Sequence, residues 1–79
     1  MLEGLQVRMA RAAVGWNVRE LARNAGVTPN TISRIENGGD ALASTMERLQ
    51  TALHDAGVIS IDADEEGPGV RLKADRPGQ

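Results

Sequence analysis

The sequence predicts a mainly α-helical domain of four short helices followed by a short C-terminal β-hairpin. Three observations carry this. Apolar residues recur three and four positions apart between residues 2 and 56, and glycines at 15, 26, 38, 39 and 57 divide that stretch into four pieces. Residues that start helices, Asn17, Thr28 and Ser44, stand at the heads of three of the pieces. Beyond Gly57 the pattern changes to two short segments rich in β-branched residues, Val58–Asp62 and Val70–Lys73, separated by an acidic stretch with two Gly and one Pro.

The first helix is expected over residues 2–14. Leu5, Met9 and Ala12 at i, i+4 and i+7, with Leu2 one turn earlier, form its apolar stripe, flanked by Arg8 and Arg11. Gly15 ends it. Asn17 with Glu20 three residues later has capping-box spacing, and Trp16 with Leu21 has the spacing of a hydrophobic staple. The second helix therefore runs from Val18 to Ala25 and stops at Gly26. Trp16 is expected in the core rather than as a stacking platform.

Thr28 caps the third helix and Pro29 takes its first position, where a missing N–H costs nothing. This helix runs to about Glu36. Ile32 and Ile35 point inward, which leaves Asn30, Thr31, Ser33 and Arg34 outward or half outward, and Asn37-Gly38-Gly39 closes it. Ser44, with Glu47 at capping-box spacing, is expected to cap the fourth helix. Its stripe is Met46, Leu49 and Leu53, with Leu42 one turn earlier, and Gly57 terminates it. His54 falls in its last turn, where a cation suits the helix dipole. Three units follow: a helical domain over 1–57, a hairpin over 58–73 and a frayed tail over 74–79.

Composition narrows the function classes. Seventy-nine residues make one domain. Such a small core seldom supplies more than about 3–5 kcal/mol, so an added staple is often needed. The chain has no cysteine, which removes disulfides and thiolate metal sites and leaves oligomerisation as the expected staple. Trp16 is its only aromatic residue, against modules that stack bases on aromatic rings. One histidine, an acidic loop at 62–66 without calcium-loop spacing, and no glycine-rich phosphate loop give no reason to expect a metal, a cofactor or catalysis. No apolar run approaches a membrane span, and no basic segment followed by an apolar run opens the chain. A soluble cytoplasmic protein that is not an enzyme is expected. Residues 1–54 carry six arginines against five acids, whereas 55–79 carry three cations against six acids. Charge alone therefore does not point to nucleic acid, and that inference must rest on pattern.

The pattern is there. Two short helices joined by a tight glycine-containing turn, Asn17 to Gly38, have helix-turn-helix spacing. The stretch GWNVRELARNAGVTPNTISRIENG resembles the phage-repressor, Cro-like (Xre-type) helix-turn-helix family at Gly15, Leu21, Ala22, Ala25, Gly26, Val27, Thr31, Ile32, Ile35, Glu36, Asn37 and Gly38. With the flanking helices the resemblance covers about residues 2–56.

The resemblance implies that the third helix reads double-stranded DNA through Pro29, Asn30, Ser33 and Arg34. Arginine pairs bidentately with guanine and asparagine with adenine, so Arg34 ranks first and Asn30 second, while Pro29 offers only apolar contact. Thr28, Thr31, Asn37 and Gly39 are implied phosphate contacts, the last two through the loop's backbone N–H groups, with Asp40 an unhelpful charge beside them. The family often carries glutamine at the first position of the second helix. This chain has Val18 there, which leaves the neighbouring Arg19 as the phosphate anchor. Arg11 and Glu36 correspond to a structural ion pair between the first and third helices.

Short regulators of this type end in a similar β segment with a GPGVRL-like run. The hairpin residues Val58, Ile59, Ile61, Val70 and Leu72 are expected either to join two chains across a two-fold axis or to fold back on their own helices. The implied function is a nucleoid-associated repressor or autoregulator that binds an inverted repeat as a homodimer. The alternative is an antitoxin or antiactivator that acts on a protein partner, which the acidic C-terminal third favours.

Overall fold

The computed structural model describes residues 2–75 and contains α1 (Gly4–Val14), α2 (Val18–Ala25), α3 (Pro29–Glu36), α4 (Ala43–Asp55), β1 (Val58–Ile61) and β2 (Gly69–Leu72). The frayed tail expected over 74–79 lies, from residue 76 onward, outside the described residues.

The capping chemistry acts where the sequence places it in α2 and α3. Asn17 accepts from the Glu20 N–H at 2.8 Å and Glu20 accepts from the Asn17 N–H at 3.0 Å. Gly15 and Gly26 end α1 and α2 in the left-handed region, at φ 73° and 71°. The core gathers around Val7, Leu21, Ile32 and Leu49, all fully buried, with Ala10, Ala22, Ala25, Ile35, Ala52, Leu53 and Val58 around them. Each large side chain buried there contributes roughly 1.5–3 kcal/mol. Trp16, Val18 and Met46 pack against this cluster from its margin.

The face of α1 differs from the expected one. Gln6, Val7 and Ala10 are buried, whereas Leu5 is 55 % exposed and Ala12 is exposed. At 3.6 residues per turn, the buried face lies about 140° around the helix from the Leu5–Met9–Ala12 stripe. Two contacts fix the true phase. Gly4 has no room for a side chain because a Cβ there would collide with the Ile35 carbonyl oxygen, so α1 lies directly on the last turn of α3. The Gln6 amide donates to the carbonyls of Ile61 (2.8 Å) and Gly69 (3.0 Å), and its oxygen accepts from the Glu3 N–H (2.8 Å). A polar residue with every group satisfied can thus sit where apolar residues were expected.

The start of α4 also differs. The N-cap is Leu42, without a side-chain hydrogen bond, and Ser44 lies inside the first turn. Leu42 is 74 % exposed and does not extend the buried stripe. Packing of Ala41 and Met46 on the core places the start of this helix. A serine cap, worth about 1 kcal/mol, does not override it.

β1 and β2 pair antiparallel, with Val58 opposite Leu72, Ile59 opposite Arg71, Ser60 opposite Val70 and Ile61 opposite Gly69. The hairpin packs on α1 and α4, while α3 packs on α1 and α2. His54 lies in the last turn of α4, but the side-chain cation that reaches a carbonyl there is Lys73, which donates to the His54 carbonyl at 3.1 Å.

Candidate nucleic-acid interface

The exposed side of α3 follows from how its back is held. Ile32 is fully buried and Ile35 is 3 % exposed, so the rotation of the helix is fixed. Thr28 Oγ1 accepts from the Thr31 N–H at 3.3 Å and lies 2.9 Å from Thr31 Oγ1, which defines the first turn. Pro29, Asn30, Ser33 and Arg34 are all exposed, and Thr31 is half-buried. Asn30 and Arg34 are four residues apart and share one face. Among the described residues neither side chain has a hydrogen-bond or ion-pair partner. Both are therefore available to a ligand.

Arg19 on α2 is exposed and likewise unpaired among the described residues. Arg23, one turn further along α2, shares these properties and was not singled out from the sequence. Its i, i+4 spacing from Arg19, opposite the buried Leu21, Ala22 and Ala25, is the signal that could have found it.

Behind α3, Glu36 is held by two arginines of α1. Arg11 Nε and Nη2 donate to the two carboxylate oxygens at 2.7 and 2.9 Å, and Arg8 Nε reaches Oε1 at 3.5 Å. Arg11 also donates to the Trp16 carbonyl at 3.1 Å. The Glu36 side chain is 4 % exposed. Burial pushes its carboxyl upward, but hydrogen bonding and charge from Arg11, aided by Arg8, outweigh it and hold the carboxyl below its ordinary range. The same hydrogen bond raises the Arg11 guanidinium above its ordinary value. The pair ties α1 to the end of α3 and neutralises an acid beside the exposed face.

In the loop after α3 the backbone N–H groups bond back to the helix: Asn37 donates to Ser33, Gly38 to Ile35 and Gly39 to Arg34, at 3.1, 3.0 and 2.8 Å. The last carbonyls of a helix lack partners within it, and these three donors supply them. The Asn37 amide also donates to the Ser33 carbonyl at 2.8 Å. Arg48 Nη1 donates to the Gly26 carbonyl at 3.3 Å, so α4 braces the turn between α2 and α3, a contact the sequence did not suggest.

The five hairpin residues fall into two groups. Val58 is buried in the chain's own core and Val70 and Leu72 pack against it. Ile59 and Ile61 lie on the opposite face with Arg71, by the register and the alternation of strand side chains, and are half-buried. In the acidic loop, Asp64 accepts from the Glu66 N–H at 2.7 Å. Among the described residues no three His, Cys, Asp or Glu side chains gather as metal ligands, and no helix is long and apolar enough to cross a membrane.

No curated protein matches the chain. The family model described as Helix-turn-helix matches residues 7–54, which covers more than half of the chain and takes in both helices of the motif and most of α1 and α4. The chain therefore belongs to the Xre/Cro-like helix-turn-helix family of DNA-binding transcription regulators.

Proposed function

We propose that the protein is a sequence-specific repressor or autoregulator that binds an inverted-repeat operator as a homodimer, with α3 in the major groove. The observation that carries this reading is the pair Asn30 and Arg34, one turn apart on an exposed helix face and without partners among the described residues. Arg34 donates to guanine O6 and N7, Asn30 pairs with adenine, Ser33 contacts a base edge and Pro29 packs on a thymine methyl. Arg19, Thr28, Thr31 and the Asn37 side chain contact phosphate and set register without reading sequence. Gly39 approaches the backbone there without a free N–H of its own.

Dimerisation uses the outer hairpin face, Ile59 and Ile61, because Val58, Val70 and Leu72 are engaged by the chain's own helices. Two α3 helices then meet half-sites about 34–36 Å apart. A net charge of −2 makes non-specific affinity modest. The protein works in the cytoplasm, on the nucleoid. Selection of binding sites from randomised duplexes tests this. A palindromic site is expected, and R34A should lose about 1–3 kcal/mol at one base position of each half-site. Recovery of no preferred sequence, or a site bound equally well by R34A, would defeat the assignment.

A second reading is supported by one feature, the exposed acidic loop Asp62, Asp64, Glu65 and Glu66. In that reading the loop engages a basic protein partner and the chain acts as an antitoxin or antiactivator. Loss of a co-purifying partner on neutralising these four residues, with DNA binding intact, would favour it.

A further inference from the structure

We propose that Gly39 is a positioning residue for Arg34, a role that rests on the reading of α3 as the DNA reader. Arg34 stands in the last turn of α3, exposed and with no side-chain partner among the described residues. Gly39 acts on it in two ways. Its N–H donates to the Arg34 carbonyl at 2.8 Å and fixes the backbone from which the side chain leaves. A Cβ at position 39 would sit 2.6 Å from Arg34 Cγ and 2.9 Å from the Arg34 carbonyl oxygen. The Arg34 stem therefore crosses the glycine at a separation that no other residue type leaves open. The clash would fall at Cγ, near the root of the side chain, so a Cβ at position 39 would shift the first torsions and redirect the guanidinium.

The neighbouring glycine separates this role from that of the turn. Gly38 has φ 90°, a conformation that calls for glycine, and a Cβ there would meet nothing within 4 Å. Gly39 is not among the glycines with positive φ, so its backbone alone does not demand glycine. What demands it is the Arg34 stem together with the carbonyl at the same position, on which a Cβ would fall. With glycine there this rotamer is open, and the planar donor fork of Arg34 projects from α3 in the direction it sets.

The test is selection of binding sites from randomised duplexes with wild type, G38A, G39A, R34A and the double variant G39A/R34A. R34A is expected to relax one base position by about 5- to 100-fold. G39A should relax the same position by at least about threefold, and the double variant should be no worse there than R34A, as expected for residues acting through one group. G38A should lower thermal stability and leave that preference unchanged. If R34A relaxes a position and G39A does not, the positioning role fails while the reader assignment stands. If R34A relaxes none, both fail. A second measurement does not depend on the variants folding: three-bond couplings of Arg34 in the free wild-type protein. They should report one dominant rotamer about the first two torsions, and averaged couplings overturn the proposal.

Discussion

Replacing Glu36 by Gln removes the charge that holds α1 to α3 and leaves the shape nearly unchanged. Deleting one partner of a buried pair costs about 3–5 kcal/mol because the other charge stays behind. Here the remaining charges are partly wet, with Arg11 19 % and Arg8 52 % exposed, and the Gln oxygen still accepts one hydrogen bond. The expected loss is therefore smaller, about 2–3 kcal/mol. For a domain of this size that lowers Tm by about 8–20 °C. The effect also has a pH signature. Glu36 titrates below its ordinary value of 4.5 in the folded chain. A carboxyl with a depressed folded value contributes its stability in full above the unfolded value and loses it as pH falls through the folded one. The Tm gap between wild type and E36Q should be constant from pH 8 to about 5 and narrow below about 4.5. Thermal unfolding followed by circular dichroism, at half-unit steps of pH, measures both. A gap under about 2 °C at pH 7, or one that does not change on acidification, refutes the reasoning.

Three further outcomes follow from the same contacts. G4A should destabilise by about 1–3 kcal/mol or more, since its methyl group would meet the Ile35 carbonyl and push α1 off α3; urea unfolding reads the loss as a lower midpoint. Q6L leaves the Ile61 and Gly69 carbonyls without this donor at a cost of about 1–3 kcal/mol, and hydrogen exchange in β1 and β2 should accelerate more than in α3. R19A should weaken binding to specific and random duplexes alike and reduce the slope of log K against log salt by about 1, seen in anisotropy titrations at several salt concentrations.

The parts of the fold that were legible are those whose boundaries are set by polar residues near in sequence. Asn17 with Glu20 and Thr28 with Pro29 gave α2 and α3 their limits because a cap is a contact across three residues. Where a boundary or a face depends on distant chain, neighbouring residues do not encode it. Leu5 resembles a core residue and Gln6 a surface one, and only the hairpin 55 residues away, which accepts the Gln6 amide, reverses them. α4 starts after Leu42 with no side-chain cap to signal it, while its neighbours Ala41 and Met46 pack on the core. In the candidate interface the outward set Pro29, Asn30, Ser33 and Arg34 was legible, since Ile32 and Ile35 leave those positions no other side. The use of the loop N–H groups and the closeness of Gly39 to the Arg34 stem were not, because both depend on how the chain turns after α3, which residue types do not encode.

α1 carries the Gln6 anchor to the hairpin on one flank and the Arg11 anchor to α3 on another, five residues apart, or about 7.5 Å of helix. The strand pair and α3 are thus mounted on a single stiff strut instead of being joined by a tether. In the proposed hairpin-joined dimer, the gap between the two α3 helices is then a built dimension. Adding one base pair to the operator's centre lengthens the gap by about 3.4 Å and turns one half-site by roughly a tenth of a revolution, a mismatch that such a mount has little give to absorb.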